Sequence, residues 1–171
     1  MIVWIIGISG AGKSTVADKV VDMLRQRGSA CLLLDGDSLR DVWGDSIGHT
    51  TADRRKNHTR ISHLCKLLEQ EPSVHQIVPA LSIFPDLRKW NRDNFQSYLE
   101  VYLDIPVAVA ESRDPKGIYA RRRAGELNDV VGIDIPFPEP ETADLRIDGQ
   151  DIMESPEEIA GRIIASMDQH A

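Results

Sequence analysis

Cysteine and aromatic side chains are scarce in this sequence, basic residues are outnumbered, and no long apolar run occurs. Cys31 and Cys65 are the only cysteines among 171 residues. Both sit in apolar surroundings, which points to buried reduced thiols and not to a disulfide framework. No stretch approaches the ~18 apolar residues that a membrane helix needs. The run Ile2–Ile6 lacks a basic leader and is too short for a signal peptide, so a soluble, cytoplasmic protein is expected. Twenty Lys and Arg stand against 27 Asp and Glu, a net charge of -7. That balance argues against a general nucleic-acid or membrane binder, since neither polyanion attracts an acidic surface. A local basic site remains compatible with it. No repeat, linker or low-complexity tract interrupts residues 1–171, and the length suits one compact domain.

What is present is an alternation of β-rich apolar runs and helical stretches. Ile2–Gly7 reads as a strand buried on both faces. Lys13–Arg27 follows as a helix, with Val16, Val20, Val21 and Leu24 at helical spacing and Gly28 ending it. Ala30–Leu34 is a second strand, stopped by Asp35-Gly36-Asp37. Ala52–Glu69 is a helix striped by Ile61, Leu64, Cys65 and Leu68. Val74–Leu81 reads as a third strand, weakened by Pro79. Asp86–Gln96 is then helical, and Tyr98–Leu103 is a fourth strand. A short helix over Val107–Ser112 leads into the basic segment Arg113–Arg123. Gly125–Glu141, rich in Pro, Gly and acids, is a long ordered loop. Leu145–Ile147 and Pro156–Met167 supply a last strand and helix. Such alternation implies an α/β fold of three layers with a mostly parallel central sheet.

Directly behind the first strand, Gly7 to Ser14 reads G-x-x-x-x-G-K-S. Glycines let a backbone curl with its N–H groups facing phosphate oxygens, and a helix starting there adds its positive dipole end. A lysine for the β/γ-phosphates and a hydroxyl for Mg²⁺ complete the requirement. Gly7, Gly10, Gly12, Lys13 and Ser14 meet it, with Ser9, Ala11 and Thr15 filling out the loop. The expectation is a P-loop NTPase fold that binds ATP and Mg²⁺, the metal being held chiefly by Ser14, the ATP phosphates and water, with Asp35 or Asp37 behind them.

Two classes of P-loop protein compete. Asp114-Pro115-Lys116-Gly117 matches the D-x-x-G of guanine-nucleotide switches. However, it comes some hundred residues after the P-loop, and no N-K-x-D guanine reader occurs. A small-molecule kinase needs an acceptor site beside the cradle and a mobile basic lid. Asp37, at the carboxyl end of the second strand, could face an acceptor hydroxyl. Read without catalytic duty, Asp35-Gly36-Asp37 is a plain turn. Arg113, Lys116, Arg121, Arg122 and Arg123, gathered around Gly117 and Gly125, could form a lid over residues 113–132 that neutralises the transferring phosphoryl group. The bland alternative is a solvated helix face.

"GISGAGKST", "LDGDSLR", "DRRKN", "EVYLD", "RDPKGIYARRRAGE" and "GIDIPFPEP" stand in the order that resembles adenylylsulfate kinases, from Ile2 to about Asp148. The resemblance implies transfer of the ATP γ-phosphate to the ribose 3′-hydroxyl of an anionic nucleotide, a small-molecule substrate, by a protein that is commonly a homodimer. It places Asp37 beside that hydroxyl, with Lys13 in the catalytic centre. It gives Arg40, Arg54 and Asn57 the acceptor's phosphate and sulfate, and puts Asp35, Ser82 and Ile83 in the same pocket. Arg113, Lys116 and Arg123 fall in the lid.

Departures from the family pattern concentrate on the acceptor base. Two phenylalanines that sandwich adenine in the family are replaced by His49 and Val130. "ISPYR" becomes "LSIFPDLR" at Leu81–Arg88, and one arginine of "ENIRR" is Thr59. Stacking on an aromatic contributes about 1–3 kcal/mol per base contact. Losing both would cost about 2–6 kcal/mol, roughly 30-fold to 10⁴-fold in affinity, less whatever the His49 ring retains. "LSIFP", "NRDNF" and "VVGIDIPFPEP" look more like a branch that phosphorylates cytidine diphosphoramidate, so adenine and cytidine conjugates both stay open. His49, His58 and His63 do not share a helix face and no cysteine joins them, which argues against a metal site. Ser82 is either a pocket residue or a helix cap. Phe84 and Phe137 are the aromatics nearest the missing sandwich, with Phe137 and Trp4 expected in the core. Trp43 and Trp90 receive no assignment.

Overall fold

Strand β1 (Ile2–Ile6) is apolar throughout, and all five of its residues are buried. It runs between β3 (Val74–Ala80) and β4 (Tyr98–Leu103), parallel to both. With β2 (Ala30–Leu33) outside β3 and β5 (Leu145–Ile147) outside β4, the sheet order is β2-β3-β1-β4-β5, parallel at every pairing. The structure is a computed structural model and describes residues 1–44, 47–149 and 154–170. Among the described residues no helix is long and apolar enough to cross a membrane.

Alternation along β1 divides the core in two. Val3 and Ile5 pack with Val16, Val20 and Leu24 of α1 (Lys13–Gln26) and with Ile163 and Ile164 of α7 (Pro156–Gln169). Ile2, Trp4 and Ile6 face the opposite way, onto Ile61 and Cys65 of α3 (Thr51–Leu68) and onto Phe95. Phe95 closes the C-terminus of α4 (Pro85–Asn94). Helix, sheet and helix thus form three layers, with α5 (Val107–Arg113) and α6 (Ile118–Arg123) beyond β4 in the chain. Local chemistry sets the ends. Thr50 accepts from the Asp53 amide at the start of α3, and a reciprocal Ser155–Glu158 capping box opens α7. Gly28, at φ +77°, turns the chain out of α1.

Several expectations need adjustment. Asp35-Gly36-Asp37 does stop β2, but it also begins a helix, α2 (Gly36–Val42), that the alternation of apolar residues does not reveal. Pro79 is tolerated in β3 because β2 pairs only as far as Ile77, so the proline lies where one neighbour has ended. Cys65 is fully buried, whereas Cys31 on the edge strand is only half-buried, and both thiols are free. Phe137 stacks on Tyr102 at 5.7 Å in the core. Trp90 meets Phe95 and His63 edge-on.

Candidate active site

The carboxyl ends of β1, β2 and β3 open into a cleft of about 670 Å³, the place where parallel α/β sheets hold ligands. A smaller cavity of about 410 Å³ at the other end of the strands contains none of the predicted site residues.

The loop after β1 has the geometry of a cradle. Gly10 sits at φ +77°, and a Cβ there would lie 2.7 Å from the carbonyl oxygen of Ala110, so only glycine lets the loop pass α5. Gly12, at φ +90°, is the N-cap of α1 and brings no side chain to the helix end, leaving that end to an anion. Lys13 Nζ donates to the Ile8 carbonyl at 2.8 Å. Burial brings its ammonium down to about 8, with Asp37 and Asp35 opposing that fall and Lys116 adding to it.

One carboxylate joins this loop to α2. Asp35 Oδ1 accepts from the amides of Asp37 at 2.9 Å and Ser38 at 3.1 Å. Its Oδ2 accepts from Ser14 Oγ at 3.0 Å. The capped helix presents Asp37, whose carboxylate pairs with Lys116 and lies 4.0 Å from Arg40 Nη2. Burial pushes the Asp37 carboxyl up, but Lys116, Arg40 and Lys13 outweigh it and hold the group below its ordinary value.

The basic segment runs from the end of α5 through a turn into α6, which is fastened to the loop below it. Asp114 accepts from the amides of Tyr119 at 3.2 Å and Ala120 at 2.9 Å, capping α6. The buried Tyr119 donates its hydroxyl to the Ser9 carbonyl at 2.9 Å. Lys116 and Arg121 line the cleft. Arg123 turns away to pair with Glu111 and does not line it. Arg113 is also outside the lining, yet its Nη1 would be 3.9 Å from a Cβ on Gly12.

Of the remaining predicted residues, Ser9, Gly10, Gly12, Ser14, Thr15, Arg40, His49, Arg54, Asn57, Ser82, Ile83 and Val130 line the cleft together with Lys13, Asp35 and Asp37. Gly7 and Ala11 lie beneath it; a Cβ on Gly7 would be 3.0 Å from the Leu103 carbonyl oxygen. Arg54 Nε donates to the His49 carbonyl at 2.8 Å and its Nη2 to that of Asp129 at 3.4 Å. Burial and the neighbouring Arg40 charge lower the Arg54 guanidinium. Burial, Arg40 and Arg54 together lower the His49 imidazole, so this ring is neutral and able to lie against a base. Asn57 is committed to the scaffold: its Nδ2 donates to the Gly36 carbonyl at 2.9 Å, and its Oδ1 accepts from Trp43 Nε1 at 2.9 Å.

Ser82 is a pocket residue, and Phe84 takes the N-cap of α4. The Ser82 backbone is held at φ +51°, and its Oγ accepts from Trp4 Nε1 at 2.6 Å. His58, Phe84 and Asp129 also line the cleft. His58 was legible as the residue that extends the stripe of Ile61 and Cys65 by one further turn, a polar group where an apolar one belongs.

A phosphate loop after the first strand, a carboxylate after the second and a basic segment docked beside both define a small-molecule kinase of the P-loop class. The model of the adenylylsulphate kinase family matches residues 1–148, and the chain belongs to that family. The adenylyl-sulfate kinase of Klebsiella pneumoniae subsp. pneumoniae is 35% identical over 155 residues, which are 90% of this chain and 77% of that protein. The bifunctional enzyme CysN/CysC of Mycobacterium tuberculosis is 40% identical over 149 residues, 85% of this chain and 24% of the longer protein. The structure of the M. tuberculosis APS kinase CysC with AMPPNP and APS superposes with a TM-score of 0.89 at 37% identity, covering 98% of this chain and 96% of that one.

Gly10→Ala would force a left-handed backbone and a 2.7 Å approach to Ala110. Titration with a fluorescent nucleoside triphosphate is expected to show binding weakened by at least about 100-fold, with the melting temperature of the ligand-free protein changed far less than binding.

Proposed function

We propose that this chain transfers the γ-phosphoryl group of ATP to the ribose 3′-hydroxyl of adenylylsulfate, the reaction of sulfate assimilation. The observation that carries this reading is the Asp37–Lys116 pair poised over the P-loop with Lys13 behind it. It joins the carboxylate suited to the acceptor hydroxyl and the ammonium suited to the moving phosphoryl group. Phosphoryl transfer passes through a loose transition state, so positioning and charge stabilisation supply most of the catalysis. Lys13 and the loop amides hold the β/γ-phosphates. Asp37, kept ionised, accepts a hydrogen bond from the 3′-hydroxyl and aims it; its lowered pKa suits orientation better than early proton removal. Lys116 moves from Asp37 to the γ-phosphoryl oxygens as residues 113–132 close as a lid. Arg40 and Arg54 rest on backbone carbonyls, which leaves guanidinium edges for the acceptor's anionic groups.

The Ser14 hydroxyl and the Asp35 carboxylate beside it make a hard oxygen set that fits Mg²⁺, with Ser14 as ligand and Asp35 behind it. The ion, when bound, neutralises charge between the β- and γ-phosphates. A homodimer also belongs to this reading, supported by edge strand β2, where Leu32 and Leu33 are 41% and 38% exposed. A second acceptor, cytidine diphosphoramidate, is favoured by one observation: His49 and Val130 line the cleft where the family has its aromatic sandwich.

A coupled assay of ADP release with each acceptor tests the proposal. Turnover of adenylylsulfate is expected, turnover of the cytidine conjugate alone would reassign the acceptor, and turnover of neither would refute the kinase reading. Asp37→Ala is expected to lower kcat by about 10²–10⁴-fold while nucleotide affinity changes by less than about threefold; equal losses would move Asp37 into nucleotide binding. A triphosphate beside Lys13 should raise its pKa from about 8. Below pH 7 the ammonium is already charged, so binding takes up no proton there; above pH 8 it draws one in. Calorimetry in buffers of different ionisation enthalpy should show that uptake, and Lys13→Met should remove it.

A further inference from the structure

His58 is 5% exposed, lines the acceptor cleft, and has no hydrogen-bond partner on either ring nitrogen. The ring is held firmly. It stacks on Trp4 with centroids 5.1 Å apart and planes at 25°, and Phe84 closes the far side at 6.4 Å. The same indole that supports His58 donates from Nε1 to Ser82 Oγ at 2.6 Å. Because that oxygen already accepts, the Ser82 hydroxyl hydrogen is left to donate elsewhere. Burial, reinforced by the charge of Arg88, brings the His58 imidazole down to about 3, so it is neutral, with one N–H donor and one bare nitrogen. Leaving such a group unpaired is costly, the more so beside the apolar Ile61 and Cys65 on the same stripe.

We infer that His58 is a specificity-determining residue of the acceptor site, donating its ring N–H to an anionic oxygen of the acceptor's phosphoryl or sulfuryl groups. The inference rests on the kinase reading above. Polarity selects an oxygen, since Ser82 and His58, both braced by Trp4, offer donors to the same cleft. The positive charge of Arg88 nearby favours an anion and opposes a second proton on the ring, while Asp86, which opposes it, is paired with Arg55 at 2.7 Å.

Wild type, His58→Leu and His58→Gln are compared in the ADP-release assay with adenylylsulfate and with cytidine diphosphoramidate. A hydrogen bond to a charged group contributes about 1.5–3 kcal/mol, roughly 10- to 100-fold. His58→Leu is therefore expected to raise KM for the acceptor that wild type uses by at least about tenfold, with KM for ATP within about twofold. His58→Gln, which keeps an N–H, should recover part of that loss. Equal rises in both KM values, an acceptor KM within about twofold of wild type, or Gln as impaired as Leu would each overturn the assignment. Should the variants fail to fold, ¹⁵N spectra of histidine-labelled wild type decide. A His58 ring resonance should move when the acceptor joins the ADP complex, and its standing still would overturn the role. Wild type that turns over neither acceptor refutes the underlying kinase reading, whereas turnover with an unmoved acceptor KM refutes only His58.

Discussion

The site depends on the two oxygens of Asp35. One oxygen caps α2 by accepting from the Asp37 and Ser38 amides; the other receives the Ser14 hydroxyl from the phosphate loop. A capping carboxylate stabilises a helix by roughly 0.5–2 kcal/mol, but position matters more here than stability. The cap fixes the first turn of α2, and that turn places Asp37 over the loop where Lys13 begins α1. Donor and acceptor halves of the cleft are therefore set against each other through one side chain. Asn57 braces the same unit from α3 through the Gly36 carbonyl and the Trp43 indole.

Above this frame, two kinds of attachment hold the basic helix. Tyr119, buried and bonded to Ser9, ties α6 to the phosphate loop, and Asp114 caps α6. The Lys116–Asp37 pair is different, because the side chains are 55% and 60% exposed. Exposed ion pairs contribute about 0–1 kcal/mol, so this one exchanges readily when a phosphoryl oxygen competes for the ammonium. In the proposed reaction this combination lets α6 keep its place while Lys116, in the turn before it, changes partner.

How much of this was legible in the sequence follows from the range over which each signal acts. The phosphate loop is local, since glycines, lysine and serine stand at fixed spacing between a strand and a helix, and Gly10 and Gly12 take the left-handed angles that the spacing implies. β1 was legible because a parallel strand buried on both faces is apolar without interruption, and the other strands because short apolar runs alternate with helical stretches. Helix α2 was not, because seven residues stabilised by an Asp cap and by packing on α3 carry no apolar stripe of their own. Arg123 and Lys116 look alike as members of a basic run, but Arg123 ends α6 and meets Glu111, whereas Lys116 sits in the turn before α6 and meets Asp37. The commitment of Asn57 to Gly36 and Trp43 is a tertiary fact that no local pattern encodes. His58 was within reach, since its break in an apolar stripe was visible, but spacing for metal ligation is the wrong test for a lone imidazole.

Charge ties composition to site. The chain carries -7, yet Lys13, Arg40, Arg54, Lys116 and Arg121 all line the cleft. At physiological ionic strength the Debye length is about 8 Å, so a small anion at the cleft feels these five cations and little of the acidic exterior. A polyanion lying along the surface would meet that exterior over many Debye lengths and be repelled. Asp35, Asp37, Asp41 and Asp129 also line the cleft, but Asp35 is turned into the cap and Asp37 is already matched by Lys116. Lys13, Arg40, Arg54 and Arg121 remain, and in the proposed reaction Arg40 and Arg54, resting on carbonyl oxygens, favour an anionic acceptor more than the net charge does.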